Sequence, residues 1–137
     1  MLFYTITTYF LNFVIWQPSI QAAAFKTTNM AKLIETSTVF SPADLTDYAP
    51  GSIVSGQLTM SKAGNITLFA FDEEQHISEH EAPFDAVVQV LEGKGRITIA
   101  GKDHELSAGQ MIIMPANVPH AVTAITAFKM MLIMIRG

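Results

Sequence analysis

Short apolar runs separated by turn-forming residues occupy the chain from Gly51 to the C-terminus. In residues 65–72, NITLFAFD, positions 66, 68 and 70 fall on one face of an extended chain and positions 67, 69 and 71 on the other. This alternation is typical of β-strands. The predicted strands are residues 53–58, 65–72, 86–91, 96–100, 104–106, 111–114, 120–124 and 128–135.

Turn signals between these runs support the same interpretation. The stretch 92–95, EGKG, follows one predicted strand, and 101–103, GKD, is predicted to close a hairpin. Ser41 followed by Pro42 suits the start of one short helical turn. No stretch after residue 50 has room for a long helix. Many short strands at close spacing predict an all-β sandwich or barrel.

The N-terminal segment has a different composition and needs its own explanation. Residues 1–25 contain no charged side chain, and Lys26 is the first. Residues 1–24 could act as a signal peptide with the alanines at 22–24 as its cleavage site, although the basic start of such a peptide is missing. A membrane-spanning helix needs about 20 continuous apolar residues, and polar residues interrupt this stretch. In a third interpretation Met30 is the true start.

These alternatives stay open and set the expected organisation. Residues 1–29 are treated as an apolar leader or a mis-assigned start, residues 30–49 as an N-terminal arm, and residues 50–137 as the barrel domain. The predicted location is cytoplasmic, with export as the alternative if residues 1–24 are a signal peptide. Contact with a membrane is expected only if residues 1–25 are retained, since their aromatic side chains suit a membrane interface.

Composition narrows the class of protein. The chain has 137 residues, 50% of them hydrophobic and 15% charged, with a formal net charge of −4. That length and apolar content indicate one folded domain with its own core. No basic block is present, so nucleic-acid binding is not expected. The absence of cysteine excludes disulfides and thiolate chemistry.

Two stretches share a spacing that carries more information than either alone. The first begins at His80 and ends at Gly93, and the second runs from Gly109 through Pro115 to His120. Glycine can adopt a positive φ where a strand reverses, and proline ends a strand and stiffens the loop that follows. The residues predicted to be structural in these stretches are Gly93, Gly109, Pro115 and Pro119.

These two stretches resemble the paired motifs of the cupin superfamily, in its small single-domain form, over residues 50–136. The resemblance implies a jelly-roll barrel of two antiparallel sheets with an N-terminal arm. It also implies a homodimer, because such arms commonly exchange between subunits. The apolar run 128–135 is interpreted as an edge strand that a second subunit would cover.

The resemblance further implies a divalent metal site of three histidines and one carboxylate. Such ligands suit Fe, Mn, Ni, Zn or Cu. This chain keeps His80 and His120, but it has Ala82 at the position of the second histidine and Ala86 at that of the glutamate. Two protein ligands seldom hold a metal tightly, so a barrel without a metal is expected before one with a divalent metal cofactor.

Three residues are candidates for a third ligand. His76 lies four residues before His80 and would share its face in a regular strand, at roughly 13 Å for about 3.3 Å per residue. Asp85 neighbours the lost carboxylate position, and Gln89 lies close to it in the chain. A β-bulge could turn either of these two inward.

Three functions remain open, and the sequence does not decide whether the protein is an enzyme. The first is binding of a small molecule in the barrel, with a degenerate metal site. The second is a metal-dependent dioxygenase, isomerase or lyase acting on a small organic acid through His80 and His120. The third is a non-catalytic dimeric scaffold or sensor module. A barrel fold hosts many chemistries and names none of them.

Overall fold

The computed structural model describes residues 24–28 and 34–136 of the chain. A 3₁₀-helix spans Pro42–Leu45. Ten strands are defined, numbered in chain order: β1 Ala24–Thr28, β2 Ser52–Ser61, β3 Gly64–Phe71, β4 His76–His80, β5 Ala86–Glu92, β6 Lys94–Ile99, β7 Lys102–Ser107, β8 Met111–Met114, β9 His120–Ala124 and β10 Phe128–Ile135.

The strands form two sheets that make up the predicted jelly-roll barrel. One sheet has six strands in the order β1-β2-β3-β10-β5-β8, and the other has four in the order β4-β9-β6-β7. Every pairing is antiparallel except that of β1, which runs parallel to β2. The all-β prediction and the jelly-roll fold are therefore confirmed.

Aromatic side chains fill the space between the sheets. Phe69, Phe71 and Phe128 are fully buried, and the rings of Phe71 and Phe128 stack with centroids 4.8 Å apart. β3 and β10 pair in continuous register, and this register places Phe128 opposite Phe71. Because side chains alternate across a strand, the faces that carry these rings point into the barrel.

The predicted strands at 111–114, 120–124 and 128–135 are confirmed with the same bounds. The interpretation of residues 128–135 as an edge strand is wrong. β10 lies between β3 and β5 and is paired along both sides. Its apolar residues serve the middle of the six-stranded sheet, and they leave no unpaired backbone for a second subunit.

A polar cluster fixes the segment before β2 to the outside of the six-stranded sheet. The Lys129 Nζ donates to Ala43 O at 2.7 Å and lies 3.3 Å from Glu92 Oε1. The Tyr48 hydroxyl donates to the same Glu92 oxygen at 2.8 Å. Partial burial, together with the hydrogen bond to Glu92 and its charge, raises the pKa of Tyr48 far above its usual range.

The predictions for the N-terminal leader lie largely outside the described residues. Within that leader only β1 is described, and its backbone pairs with Ser52–Gly56 of β2. In the parts of the chain that the structure describes, no helix is long and apolar enough to cross a membrane.

Candidate ligand site in the barrel

Two segments, residues 80–86 and 114–120, pass side by side from one sheet to the other, and we call them the crossover. At one end the Cα atoms of His80 and His120 are paired between β4 and β9. At the other end Ala86 pairs with Met114 between β5 and β8. Between them, the Asn117 amide donates to Ala82 O at 2.7 Å. The crossover therefore brings the beginning of the first motif next to the end of the second.

The two histidines of the crossover are in contact. Their ring centroids lie 4.4 Å apart, and the ring planes are inclined by 68°. His120 is 3% exposed and follows the inward face that continues through Val122 and Ala124. His80 is half-buried at the end of β4. The structure therefore brings together the two histidines that the sequence selected, although they lie 40 residues apart.

Backbone carbonyls set the tautomer of both rings. His80 Nδ1 lies 2.7 Å from Ser78 O, and His120 Nδ1 lies 3.1 Å from Val118 O. A carbonyl only accepts hydrogen bonds, so each Nδ1 must carry the proton and each neutral ring holds its lone pair on Nε2. The same arrangement orients histidines that ligate metals through Nε2.

Burial favours the neutral form of both rings. Desolvation lowers the pKa of His120, against an opposing effect of the Val118 carbonyl. Desolvation also lowers the pKa of His80. The Ser78 carbonyl acts against that shift, and the nearby His120 adds to it. Two neutral imidazoles in contact can accept and return a proton, the chemistry that general acid–base catalysis uses.

The remaining positions of the expected metal site lack ligands. Ala82 is 8% exposed and Ala86 is 2% exposed. Among the described residues, no group of three or more histidine, aspartate or glutamate side chains is placed to hold a metal ion. The residues present therefore do not fit the metal site implied by the sequence resemblance, because methyl groups stand where two ligands would be needed.

His76 does not share the face of His80. The pairing of β4 with β9 shifts register between Ile77 and His80, where three steps along β4 match two steps along β9. Ile77 is buried and His76 is exposed. The expectation that four residues of spacing would put both histidines on one face is therefore wrong, because it assumed an unbroken strand.

The other two candidates are also directed elsewhere. Asp85 is exposed, and its Oδ1 accepts the Ala116 amide at 2.9 Å, which ties the two crossover segments together. Gln89 lies on β5 between the buried Val88 and Val90, so alternation places it on the opposite, outer face. No bulge turns either residue inward, contrary to the possibility raised from the sequence.

Asn65 is a buried polar residue that the sequence did not single out as a site residue. Asn65 is 4% exposed on β3 and shares the inward face of Phe69 and Phe71. Its Oδ1 accepts no hydrogen bond from the part of the chain that the structure describes. The alternation of residues 65–71 could have placed Asn65 on the inward face from the sequence.

Asn65-Ile66-Thr67 also matches a glycosylation acceptor. At the start of a strand such a match is interpreted as incidental, and the burial of Asn65 agrees with this interpretation.

Comparison with protein families decides the family. A family model described as a cupin domain matches residues 67–136, just over half of the chain. The chain belongs to the cupin family. Among solved structures this cupin is similar to a conserved protein of unknown function from Streptococcus pyogenes, with 34% identity and a TM-score of 0.72. That alignment covers 76% of this chain and 91% of the other.

Other solved structures agree with this assignment. A cupin superfamily protein from Desulfitobacterium hafniense is 25% identical with a TM-score of 0.72, covering 76% of this cupin and 95% of that chain. A cupin 2 conserved barrel domain protein from Leptotrichia buccalis is 38% identical with a TM-score of 0.67, covering 69% and 46%. No curated protein shows significant similarity to this cupin.

Proposed function

We propose that this cupin binds a small molecule inside its barrel at His80 and His120, without a tightly held metal ion. The observation that carries the proposal is the pair itself. Two neutral rings, one buried and one half-buried, lie 4.4 Å apart and are oriented by backbone carbonyls, and alanines replace the other expected ligands. A few polar groups that converge in an otherwise apolar interior are typical of small-molecule sites, so this histidine pair beside two alanines favours ligand binding.

Metal analysis of the purified protein tests the part of this proposal that concerns the metal ion. The wild type and a His80→Ala/His120→Ala variant would be dialysed against Zn²⁺, freed of excess metal and examined by elemental analysis. We expect far less than one equivalent of any transition metal in both proteins. The matched control is His76→Ala, which removes an exposed histidine from the same strand. Near one equivalent in the wild type and in His76→Ala, lost only in the double variant, would contradict the proposal.

That contrary result would support a second candidate, a metal-dependent enzyme. Its support is the Nδ1–carbonyl bonding of both rings, which leaves Nε2 as the ligating atom. A salicylate 1,2-dioxygenase from Pseudaminobacter salicylatoxidans shares the fold with a TM-score of 0.58, but at 20% identity it supports the fold alone. A dioxygenase, isomerase or lyase of a small organic acid would need a ligand set that differs from three histidines and a glutamate.

A second copy of this chain is the partner that we propose. β8 is the outer strand of the six-stranded sheet, and its Met111 and Ile113 are 55% and 61% exposed. An apolar edge strand left unpaired invites pairing with another chain. Light scattering of Ile113→Lys should report a monomer where the wild type and Val39→Lys, altered at another exposed apolar residue, remain dimers. A monomeric wild type would refute the dimer. It would also count against the third function considered from the sequence, a dimeric scaffold or sensor module.

A further inference from the structure

Asn65 belongs to a row of inward-facing residues that leads to the crossover. Its Cα pairs with Met134 of β10, Met134 pairs with Ala86 of β5, and Ala86 pairs with Met114 of β8. Met134, Ala86 and Met114 are all buried in the core. Neighbouring strands lie about 4.8 Å apart, so Asn65 is about 10 Å from Ala86 across the sheet.

The carboxamide of Asn65 is unusual among these apolar neighbours. A buried amide oxygen without a donor destabilises a fold, and native structures rarely keep one without a reason. A leucine of similar volume would suit the methionines beside it better. The orphaned Oδ1 therefore points to a donor that the described part of the chain does not supply.

The other polar groups of this region restrict what that donor belongs to. His120 donates its Nδ1 proton to a carbonyl and carries the lone pair of its neutral ring on Nε2. The Asn65 carboxamide has an acceptor, Oδ1, and a donor, Nδ2, and a hydroxyl group can bond to either of them. Ala86 provides no carboxylate to balance an ammonium group, and the Asp85 carboxylate is bonded to a backbone amide. An unbalanced charge of either sign is costly to bury there.

From this placement we infer that Asn65 is a ligand-binding residue whose Oδ1 accepts a hydrogen bond from a hydroxyl of a neutral polyol. The polyol lies between Asn65 and the crossover histidines. This inference rests on the proposed function, because it uses the same interior, and it adds a third anchor and a ligand class.

A cationic side chain also packs on the crossover: the Arg136 guanidinium lies 5.5 Å from the centroid of the Phe84 ring. Carboxylate probes therefore belong in the test.

Matched probes separate the ligand classes. Sorbitol, gluconate and glucamine share a six-carbon skeleton that ends in a hydroxyl, a carboxylate and an ammonium group, respectively. Glycerol, glycerate and 3-aminopropane-1,2-diol form the same series on three carbons. Binding would be followed by NMR of the histidine ring resonances, assigned with single histidine variants. We expect a neutral polyol to shift the His80 and His120 resonances with higher affinity than its charged counterparts.

Variants at Asn65 test the residue itself. Asn65→Leu removes the amide at similar volume, and it should weaken polyol binding about fivefold, the value of one neutral hydrogen bond, while raising the melting temperature. Asn65→Ala provides a second variant if the leucine does not fit. Ser55→Ala is the control, since Ser55 is 4% exposed and pairs with Phe69, at a different level of the same sheet from Asn65.

The outcomes distinguish failure of the polyol inference from failure of the histidine site. Polyol binding that is unchanged in Asn65→Leu, or carboxylates that bind as well as polyols, would overturn the inference and leave the proposed function standing. If no probe shifts the histidine resonances of the wild type, or if His120→Ala binds polyols as the wild type does, the polyol inference and the histidine site both fail. Weakening in Asn65→Leu and not in Ser55→Ala would establish the third anchor.

Discussion

Replacing Gly93 by alanine should be far more damaging than the same change at two other glycines with similar backbone angles. Gly93, Gly101 and Gly109 have φ of +74°, +77° and +86°. All three positions therefore impose the same kind of backbone strain on an alanine. They differ in what a new Cβ would meet, which makes the series a measurement of packing.

The surroundings of Gly93 leave no room for a methyl group. A Cβ there would collide with the carbonyl oxygen of Ala127 and would lie 2.7 Å from Phe128 Cβ and 2.8 Å from Phe128 Cα. These are backbone or near-backbone atoms, so no side-chain rotation relieves the contact. At Gly101 and Gly109 the described structure places no heavy atom within 4 Å of such a Cβ.

These contacts set the expected magnitudes. A non-glycine residue with positive φ costs about 1 kcal/mol, and overpacking adds about 1–3 kcal/mol. Gly93→Ala should therefore lose about 2–4 kcal/mol of unfolding free energy, against about 1 kcal/mol for Gly101→Ala and Gly109→Ala. Urea unfolding, extrapolated to water, measures all three.

Two patterns would contradict this expectation. Losses of about 1 kcal/mol in all three variants would mean that Gly93 serves only its backbone angle and that β10 does not press against this turn. Losses of about 2–4 kcal/mol in all three would mean that Gly101 and Gly109 do not report backbone strain alone. A changed m-value in Gly93→Ala would instead indicate an altered denatured or native ensemble.

Three further results are expected. Because burial lowers the pKa of His80 and His120, the unfolded chain takes up protons first. The free energy of unfolding should then fall as the pH drops below about 6.5, by up to about 1.4 kcal/mol per pH unit for each ring. Urea unfolding of His80→Gln/His120→Gln should show a flatter dependence on pH. Adding Ala82→His and Ala86→Glu together should create a site that retains Zn²⁺ after dialysis, and a variant that retains none would refute the assignment of those positions. Phe128→Ala should lose about 3–5 kcal/mol in thermal unfolding, since its buried ring stacks on the core, and a loss below about 1 kcal/mol would contradict that packing.

Local pattern was sufficient for eight of the ten described strands and for the family. Residues 111–114, 120–124 and 128–135 were predicted with the bounds that the structure has, because apolar runs ended by turn residues are a local signal. The spacing of His80, Gly93 and His120 likewise indicated a cupin without knowledge of the fold. β4 was not predicted, because HISEH is short and largely polar.

Only the tertiary structure decided which side chains share the barrel interior. One register shift in β4 turned His76 outward, and the pairing of β10 on both sides placed an apparent edge strand in the middle of a sheet. Strand register and order depend on partners far away in the chain, which a local pattern does not contain. The amino-acid sequence by itself determined which residues are present to do chemistry: two histidines, two alanines and Asn65. The packing of the sheets determined that the histidines touch and that the Asn65 Oδ1 is buried without a donor among the described residues, because contact and burial are properties of the folded chain.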